Sequence, residues 1–260
     1  MEMQISGVNM HYELSGSGEK RVVLLHGWGC STKLMKPVAD FLAKDMRVLS
    51  VDFPAHGESG RPPEPWGVPE FAACLLSMLR QLDFLPCSVI AHSFGGRVTI
   101  ELAAQDETLF ERLILTGAAG VKAPSTGKAS KKTTTYKRLK ACAELLRKTK
   151  VFAGLADRWN EALVQKYGSK DYAALDPEMR KTFVAVVNYD QTEKLPQIRN
   201  STLLVWGDGD ADTPLWMGQK MEKEIPDSAL IVLEGGTHFA YLEQIGRFNA
   251  IARSFLVENC

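Results

Sequence analysis

The sequence of 260 residues has no long hydrophobic run, no surplus of charge of either sign and no recognisable leader. No apolar stretch approaches the roughly 18 residues that a membrane span needs. Residues 1–5 show no basic segment followed by an apolar one, as a secretory signal would. Lysine and arginine together number 31, as do aspartate and glutamate. We therefore expect neither nucleic acid nor a membrane as a partner.

The five cysteines are scattered, odd in number and without metal-ligand spacing: Cys30, Cys74, Cys87, Cys142 and Cys260. Reduced thiols in a cytoplasmic protein are the simplest explanation. We therefore expect a cytoplasmic location, no metal and no other cofactor. Hydrophobic residues make up 45% and charged residues 24%, which is typical of a globular chain. The length fits one large α/β domain, or a core with an insertion. No pattern indicates an oligomeric state.

The stretch 88–98 predicts a strand, a sharp turn and a helix. An apolar run ending at Ala91 leads to Ser93, and glycines precede a segment with helical spacing. Such a turn holds its serine above the C-terminal edge of a sheet, with the hydroxyl and the amide of Phe94 facing the same space. Small residues are needed on both sides because strand and helix nearly touch, and Ala91 and Gly95 meet that need. A serine between small residues also occurs in ordinary turns, so the rest of the chain must decide.

Several other apolar runs have the length of strands buried on both faces of a parallel sheet. They are Arg21 to Leu25, Arg47 to Val51, Arg112 to Leu115, Thr202 to Trp206 and Ala229 to Leu233. Helical spacing falls between them, at Met35 to Ala43, Val68 to Leu82 and Trp216 to Lys223. An opening hairpin is predicted from Met3 to Leu14.

Two late loops carry a carboxylate and a histidine directly after predicted strands. The loop after Trp206 contains three carboxylates, at Asp208, Asp210 and Asp212. After the final strand comes the sequence Gly-Thr-His-Phe, which contains His238 and Phe239 and ends four residues before Glu243. Parallel strands deliver their C-terminal ends to one edge, so these side chains are expected to converge with Ser93.

Together these motifs resemble the α/β-hydrolase fold, in which Gly-x-Ser-x-Gly forms the nucleophile elbow. Here Ala91 replaces the first glycine of that motif. The acid loop of the family, Gly-x-x-Asp-x-x-x-Pro, matches Asp210, which lies three residues after Gly207 and four before Pro214, whereas Asp208 and Asp212 fit caps or surface carboxylates. The chain order Ser93, Asp210, His238 is also that of the family. The resemblance implies a mostly parallel β-sheet flanked by helices, and a catalytic triad of these three residues. The carboxylate of such a triad fixes the tautomer of the histidine and stabilises the imidazolium.

A histidine-glycine pair after the first buried strand, His26-Gly27-Trp28-Gly29, resembles the oxyanion loop of the family. This resemblance implies an oxyanion hole made by the backbone amides of Trp28 and Phe94. Each amide would stabilise the negative oxygen of the tetrahedral intermediate by roughly 3–4 kcal/mol. The chemistry needs only amides, so His26 is expected to be structural. Trp28, Phe94 and Phe239 are further expected to line the substrate pocket.

The segment Asp52 to Ser59 resembles a second conserved turn of the family, Asp-x-Pro-Gly-His-Gly-x-Ser, with Ala55 in place of a glycine. Asp52 and His56 suggest an acid–base pair, but in the family this turn is structural. We therefore expect them to support the fold and not the mechanism.

Composition changes after residue 117, and no buried strand is predicted from there to residue 189. Helical spacing predicts helices from Ala129 to Lys150, Phe152 to Tyr167 and Pro177 to Val187. The resemblance implies a helical cap at 118–189, inserted between core segments 1–117 and 190–260. The run from Lys122 to Lys150 is rich in lysine; it is either a solvated helix face or a surface that attracts anionic substrates.

These expectations favour a serine hydrolase of the carboxylesterase type, which cleaves a small-molecule ester through an acyl-enzyme. Histidine suits the base because an ordinary imidazole titrates near pH 6.5, and activity should rise as that base becomes neutral. A serine nucleophile argues against dehalogenase and epoxide hydrolase chemistry, which the fold performs with aspartate. Thioester hydrolysis, hydrolytic carbon–carbon cleavage and a non-catalytic ligand-binding role remain alternatives.

Overall fold

The computed structural model describes residues 1–122, 139, 153–167 and 169–258. The chain divides into two compact units, one of residues 1–122 and 185–260 and the other of residues 123–184. The helix predicted from 129 to 150 and the basic run that contains it lie outside the described residues, apart from Lys122 and Leu139. The cap boundaries at 118 and 189 stay a prediction.

The first unit contains one eight-stranded sheet in the order β1-β2-β4-β3-β5-β6-β7-β8. The two pairings of β2 are antiparallel and all the others are parallel. This confirms the predicted fold class, including the opening hairpin. The strands are β1 (Glu2–Ile5), β2 (Val8–Ser15), β3 (Arg21–Leu25), β4 (Arg47–Val51), β5 (Cys87–His92), β6 (Phe110–Thr116), β7 (Ser201–Gly207) and β8 (Ser228–Leu233).

Helices of the first unit cover both faces of the sheet, and the second unit is helical where it is described. In chain order the helices are α1 (Thr32–Leu42), α2 (Val68–Gln81), α3 (Phe94–Ala103), α4 (Ala153–Tyr167), α5 (Lys170–Ala174), α6 (Pro177–Asn188), α7 (Leu215–Glu224), α8 (Ala240–Glu243) and α9 (Ile245–Arg253). A 3₁₀ turn (Thr192–Gln197) leads back to β7. The helices within the described ranges are all too short or too polar to cross a membrane.

The alternation of side chains along the strands divides the core into two layers. In β3, Val22 and Leu24 pack into one cluster with residues of α1 and α9, whereas Val23 and Leu25 pack into the other with residues of α2, α3 and α7. All four side chains are fully buried. A continuous apolar run is therefore what a strand covered on both faces requires.

The second unit contains α4, α5 and most of α6. The carboxylate of Glu161 in α4 accepts two hydrogen bonds from the guanidinium of Arg180 in α6, at 2.7 and 2.9 Å. The side chain of Ser169 caps α5 by accepting a hydrogen bond from the amide of Tyr172. The short α5 was not predicted, because five residues are too few to show a helical period.

A close contact between α3 and β3 fixes the helix that begins beside Ser93. A side-chain carbon at Gly95 would lie 2.6 Å from the carbonyl oxygen of Leu25 and 2.8 Å from its Cβ. The amide of Gly95 also donates a hydrogen bond to the carbonyl of His26 at 3.1 Å. The helix can approach the sheet this closely only because residue 95 has no side chain.

We expect Gly95→Ala to lower the free energy of unfolding by about 1–3 kcal/mol, because the methyl group overpacks this contact. Gly246→Ala in α9 is the matched control, since the space around that position is open. Alanine is the better helix former, so the control is expected to be neutral or stabilising. Urea denaturation of both variants measures the difference. Equal stabilities would contradict the close-contact argument.

Candidate active site

Ser93 lies in a strained turn between β5 and α3. Its backbone angles, φ 49° and ψ −106°, fall in a sparsely populated region for a residue with a side chain. The amide of Ser93 donates to the carbonyl of Thr116 at 3.1 Å, and its own carbonyl accepts hydrogen bonds from Gly96 and Ala119. The turn is therefore held by the end of β6 and by the residues that follow it. The Ser93 side chain is left half-buried at the C-terminal edge of the sheet.

Asp210 and His238 form a direct pair. Nδ1 of His238 lies 2.9 Å from Oδ2 of Asp210; the aspartate side chain is fully buried and that of the histidine is 12% exposed. Oδ1 of Asp210 accepts hydrogen bonds from the amides of Asp212 and Thr213 at 2.9 and 2.8 Å. Burial raises the pKa of Asp210, but the hydrogen bonds from His238 and Thr213 outweigh it and hold the pKa below its usual range. The aspartate is thus an ionised partner for Nδ1.

The loop that carries His238 is fixed by contacts on both sides. Glu243 accepts hydrogen bonds from the amide and the hydroxyl of Thr237. Asp208 accepts one from the amide of Gly235 at 2.7 Å. Asp208 therefore joins the loop after β7 to the loop after β8.

His92 connects the serine turn to the histidine loop. Its Nε2 lies 3.0 Å from the carbonyl oxygen of His238, and the two ring centroids are 4.7 Å apart. Within the described part of the chain, the hydroxyl of Ser93 makes no hydrogen bond to His238. The structure thus brings Asp210 and His238 into direct contact. His238 is linked to the turn of Ser93 through the adjacent residue, His92. Catalytic hydrogen bonds are often long without substrate and shorten in the reacting complex.

Sequence reasoning missed Gly117 and Thr213, which both contact the acid–histidine pair. A side-chain carbon at Gly117, whose φ is 49°, would lie 3.2 Å from Oδ2 of Asp210 and 3.3 Å from Nδ1 of His238. The hydroxyl of Thr213 lies 2.8 Å from Oδ2 of Asp210. A glycine directly after a buried strand was the available signal for residue 117. No pattern indicated the threonine.

The two predicted oxyanion-hole residues lie beside Ser93. A side-chain carbon at Gly27 would be 3.2 Å from Cβ of Ser93, so the loop that contains Trp28 passes close to the serine. The amide of Phe94 begins α3, where helix geometry provides no internal acceptor. The Trp28 ring contacts the Phe94 ring edge to face, with centroids 5.3 Å apart.

The three predicted pocket residues differ in exposure. Phe239 is 36% exposed, Trp28 is half-buried and Phe94 is 2% exposed. The Phe94 ring packs against Phe53 and Phe71, with centroids 5.0 Å away in both cases. An open pocket of about 680 Å³ has Phe239 in its wall, together with Gly29, Cys30, Leu34 and Leu242. Of the three residues, Phe239 has the largest exposed fraction.

His26, Asp52 and His56 have structural contacts, as the sequence predicted. Nδ1 of His26 lies 2.7 Å from the carbonyl of Gly27, and Nε2 accepts a hydrogen bond from the amide of Phe53. Asp52 accepts hydrogen bonds from backbone amides, which include that of Thr32 at 2.6 Å and that of Glu58 at 2.8 Å. Nδ1 of His56 lies 2.9 Å from the carbonyl of Pro54. These side chains hold the surrounding loops in place through hydrogen bonds to backbone groups.

One group of three potential metal ligands lies in the described part of the chain: Asp210, Asp212 and His238, with ligand atoms within 4.8 Å of one another. Two of these are the acid–histidine pair, and the third is an exposed carboxylate. Nδ1 of His238 and Oδ2 of Asp210 already bond each other, so the geometry favours proton chemistry at this position.

Two histidines near Ser93 are held neutral. Burial, with a contribution from the neighbouring His56, lowers the pKa of His26 to about 3. Burial, with a contribution from the neighbouring His238, lowers the pKa of His92 to about 3. Nδ1 of His92 also has no hydrogen-bond partner among the described residues.

These depressed values predict that the protein loses stability in acid. Below about pH 6.5 the unfolded chain protonates each histidine, whereas the native state does not until near pH 3. The free energy of unfolding should therefore fall with decreasing pH, by up to about 1.4 kcal/mol per pH unit for each histidine. We expect His92→Gln to make this slope shallower between about pH 6.5 and pH 5, as measured by urea denaturation. An unchanged slope would show that His92 titrates normally.

The chain matches the family described as the alpha/beta hydrolase family over residues 22–251. A pimeloyl-[acyl-carrier protein] methyl ester esterase of Neisseria meningitidis serogroup A is 27% identical over 252 residues, which cover 91% of this chain and 77% of that protein. A meta-cleavage product hydrolase of Pseudomonas fluorescens IP01 is similar in structure, with a TM-score of 0.74 and 22% identity over 100% of this chain and 98% of the other. The enol-lactonase of Burkholderia xenovorans LB400 has a TM-score of 0.74 and 19% identity, covering 98% of this chain and 99% of its own.

The two solved structures, at these identities, show the shared fold alone. The fold and the names of the relatives support a hydrolase. The family match runs from β3 to α9 and so includes every strand of the parallel part of the sheet. The predicted resemblance is thus confirmed, and the chain belongs to the α/β hydrolase family.

Proposed function

We propose that the protein is a serine hydrolase that cleaves a small carboxylic ester through an acyl-enzyme, with Ser93 as nucleophile, His238 as base and Asp210 as the orienting acid. The observation that supports this most is the 2.9 Å contact between Nδ1 of His238 and the buried carboxylate of Asp210. That contact leaves Nε2 of His238 as the nitrogen available for proton transfer. His238 lies in the loop after β8, and His92 connects this loop to the turn that contains Ser93.

The proposed reaction proceeds in two balanced halves. Nε2 of His238 accepts the hydroxyl proton as Oγ of Ser93 attacks the ester carbonyl, and the new negative oxygen accepts hydrogen bonds from the amides of Trp28 and Phe94. The imidazolium then protonates the departing alcohol, which leaves an acyl group on Ser93. Water attacks this acyl group with His238 again as base, and the acid is released with free Ser93.

An ester is the substrate class that the relatives favour. The relative at 27% identity is named as a methyl ester esterase and aligns over most of this chain. Apart from Ser31 and Lys33, the wall of the pocket beside Phe239 consists of small and apolar residues, which supports a mainly apolar organic group as its occupant. We further propose that residues 118–189 form a helical cap, that the enzyme works without a cofactor and that it is cytoplasmic.

Substitution of Ser93 tests the nucleophile. Hydrolysis of p-nitrophenyl esters from acetate to octanoate should fall by roughly 10⁴-fold or more in Ser93→Ala, because no other group takes over the attack. Asp210→Asn should show a large loss as well, since the amide favours the wrong histidine tautomer. Asp212→Asn is the matched control; it removes the exposed neighbouring carboxylate and should stay within a few-fold of wild type.

Equal rates in wild type and Ser93→Ala would exclude Ser93 as the nucleophile. The wild type could instead hydrolyse none of the esters but cleave a thioester or a vinylogous diketone. If Ser93→Ala abolished that cleavage, the same triad would perform the other hydrolytic reaction. A small molecule that binds tightly and is released unchanged, with no turnover of any substrate, would favour a non-catalytic role.

Phe239 tests the pocket. Phe239→Ala should raise KM for octanoate by roughly 5- to 30-fold, because it removes about 1–2 kcal/mol of apolar contact. The change for acetate should be much smaller, since its methyl group has little apolar surface to bury. Measurement of KM along the ester series provides this internal control. A uniform change for all chain lengths would indicate that Phe239 only positions His238.

A further inference from the structure

The hydroxyl of Thr213 lies among three polar groups of the proposed site. Its oxygen is 2.8 Å from Oδ2 of Asp210, 2.9 Å from the carbonyl oxygen of Gly117 and 3.2 Å from Nδ1 of His238. The residue is 5% exposed. It follows Asp210 by three positions and precedes Pro214, the N-cap residue of α7.

A hydroxyl has one proton to donate and two lone pairs to accept with. Two of the neighbours of Thr213, the carboxylate of Asp210 and the carbonyl of Gly117, are acceptors and compete for that proton. A hydrogen bond to an ionised acceptor is roughly twice as strong as one between neutral groups. The hydroxyl of Thr213 therefore donates its hydrogen bond to the ionised carboxylate of Asp210. The Nδ1 proton of His238 can in turn be shared between Oδ2 of Asp210 and the lone pair of Thr213.

This arrangement has a consequence for the base. A carboxylate that accepts a hydrogen bond from a hydroxyl has less charge available to stabilise an imidazolium beside it. In the absence of that hydroxyl, Asp210 would hold the protonated form of His238 more strongly. The protonated form is the one that cannot accept the proton of Ser93.

We propose that Thr213 is a positioning residue for the triad. Its hydroxyl donates a hydrogen bond to Asp210, which weakens the attraction between that carboxylate and the imidazolium of His238 and so keeps the base neutral to lower pH. This role rests on the proposed function of Ser93, Asp210 and His238. The backbone amide of Thr213 also donates to Oδ1 of Asp210 at 2.8 Å, and that contact does not depend on the side chain. A substitution at 213 therefore isolates the hydroxyl.

Other titratable groups that face His238 are few among the described residues. His92 lies against the ring and stays neutral, and Asp212 contributes a carboxylate within 4.8 Å of both members of the pair. Asp212→Asn removes negative charge from the site. It should therefore move the titration of the base to lower pH or leave it in place, which is opposite to the effect expected at Thr213.

The test compares Thr213→Val, which has nearly the same shape without the hydroxyl, with Thr213→Ser, which keeps it. The acid limb of kcat/KM for p-nitrophenyl acetate should move to higher pH by roughly half a unit to one unit in the valine variant. It should stay at the wild-type position in the serine variant. The thermal midpoint of each variant identifies loss of fold, since valine also leaves the carbonyl of Gly117 without its hydroxyl neighbour.

An NMR titration of the His238 ring nitrogens gives a second readout that needs no turnover. The midpoint should rise in Thr213→Val and not in Thr213→Ser. A plateau rate that falls equally in both variants, with the acid limb and the NMR midpoint unmoved, would overturn the proposal and leave Thr213 a packing residue. A shift in the NMR midpoint together with no esterase activity in wild type would contradict the proposed reaction and keep the role of Thr213.

Discussion

The close approach of three chain segments around Ser93 is the constraint on which the rest of the site depends. Side-chain carbons at Gly95, Gly96 and Gly27 would lie 2.6 Å from the carbonyl oxygen of Leu25, 2.5 Å from Cβ of Ala118 and 2.8 Å from Nδ1 of His92. The helix after Ser93, the turn after β6 and the loop after β3 can therefore approach this closely only because these three positions have no side chain. The same close approach places the loop that contains Trp28 beside Ser93, since a side-chain carbon at Gly27 would lie 3.2 Å from Cβ of the serine.

A second constraint is electrostatic and acts on the loops after β7 and β8. A buried carboxylate without partners is costly, and Asp210 avoids that cost by accepting from two amides, one hydroxyl and one imidazole. The loop that presents the imidazole is itself held by hydrogen bonds to Asp208 and Glu243. The pair is thus a product of the two loops together, and neither loop alone would fix its geometry.

The sequence predicted those parts of the molecule that follow from local patterns. Each buried strand is a continuous apolar run, and the strand ends deliver Ser93, Asp210 and His238 to one edge whatever the details of the loops. No pattern indicated the contacts of Thr213, and the glycine at 117 signalled a close approach without showing what lies there, because both depend on how the turn after β6 meets the loop after β7. The burial of the Phe94 ring was also missed. A residue whose amide begins a helix can direct its side chain toward the core, and this one packs against Phe53 and Phe71.

His92 shows how fold and chemistry are joined in this site. It is the last residue of β5, so the sheet fixes its backbone, and its side chain reaches the carbonyl of His238 in a loop 146 residues away. Only a neutral ring that donates from Nε2 makes this contact without placing a second positive charge beside the base. Burial keeps the ring in that form, since it lowers the pKa of His92 to about 3. The same burial that costs stability in acid therefore keeps the surroundings of the proposed base uncharged at neutral pH.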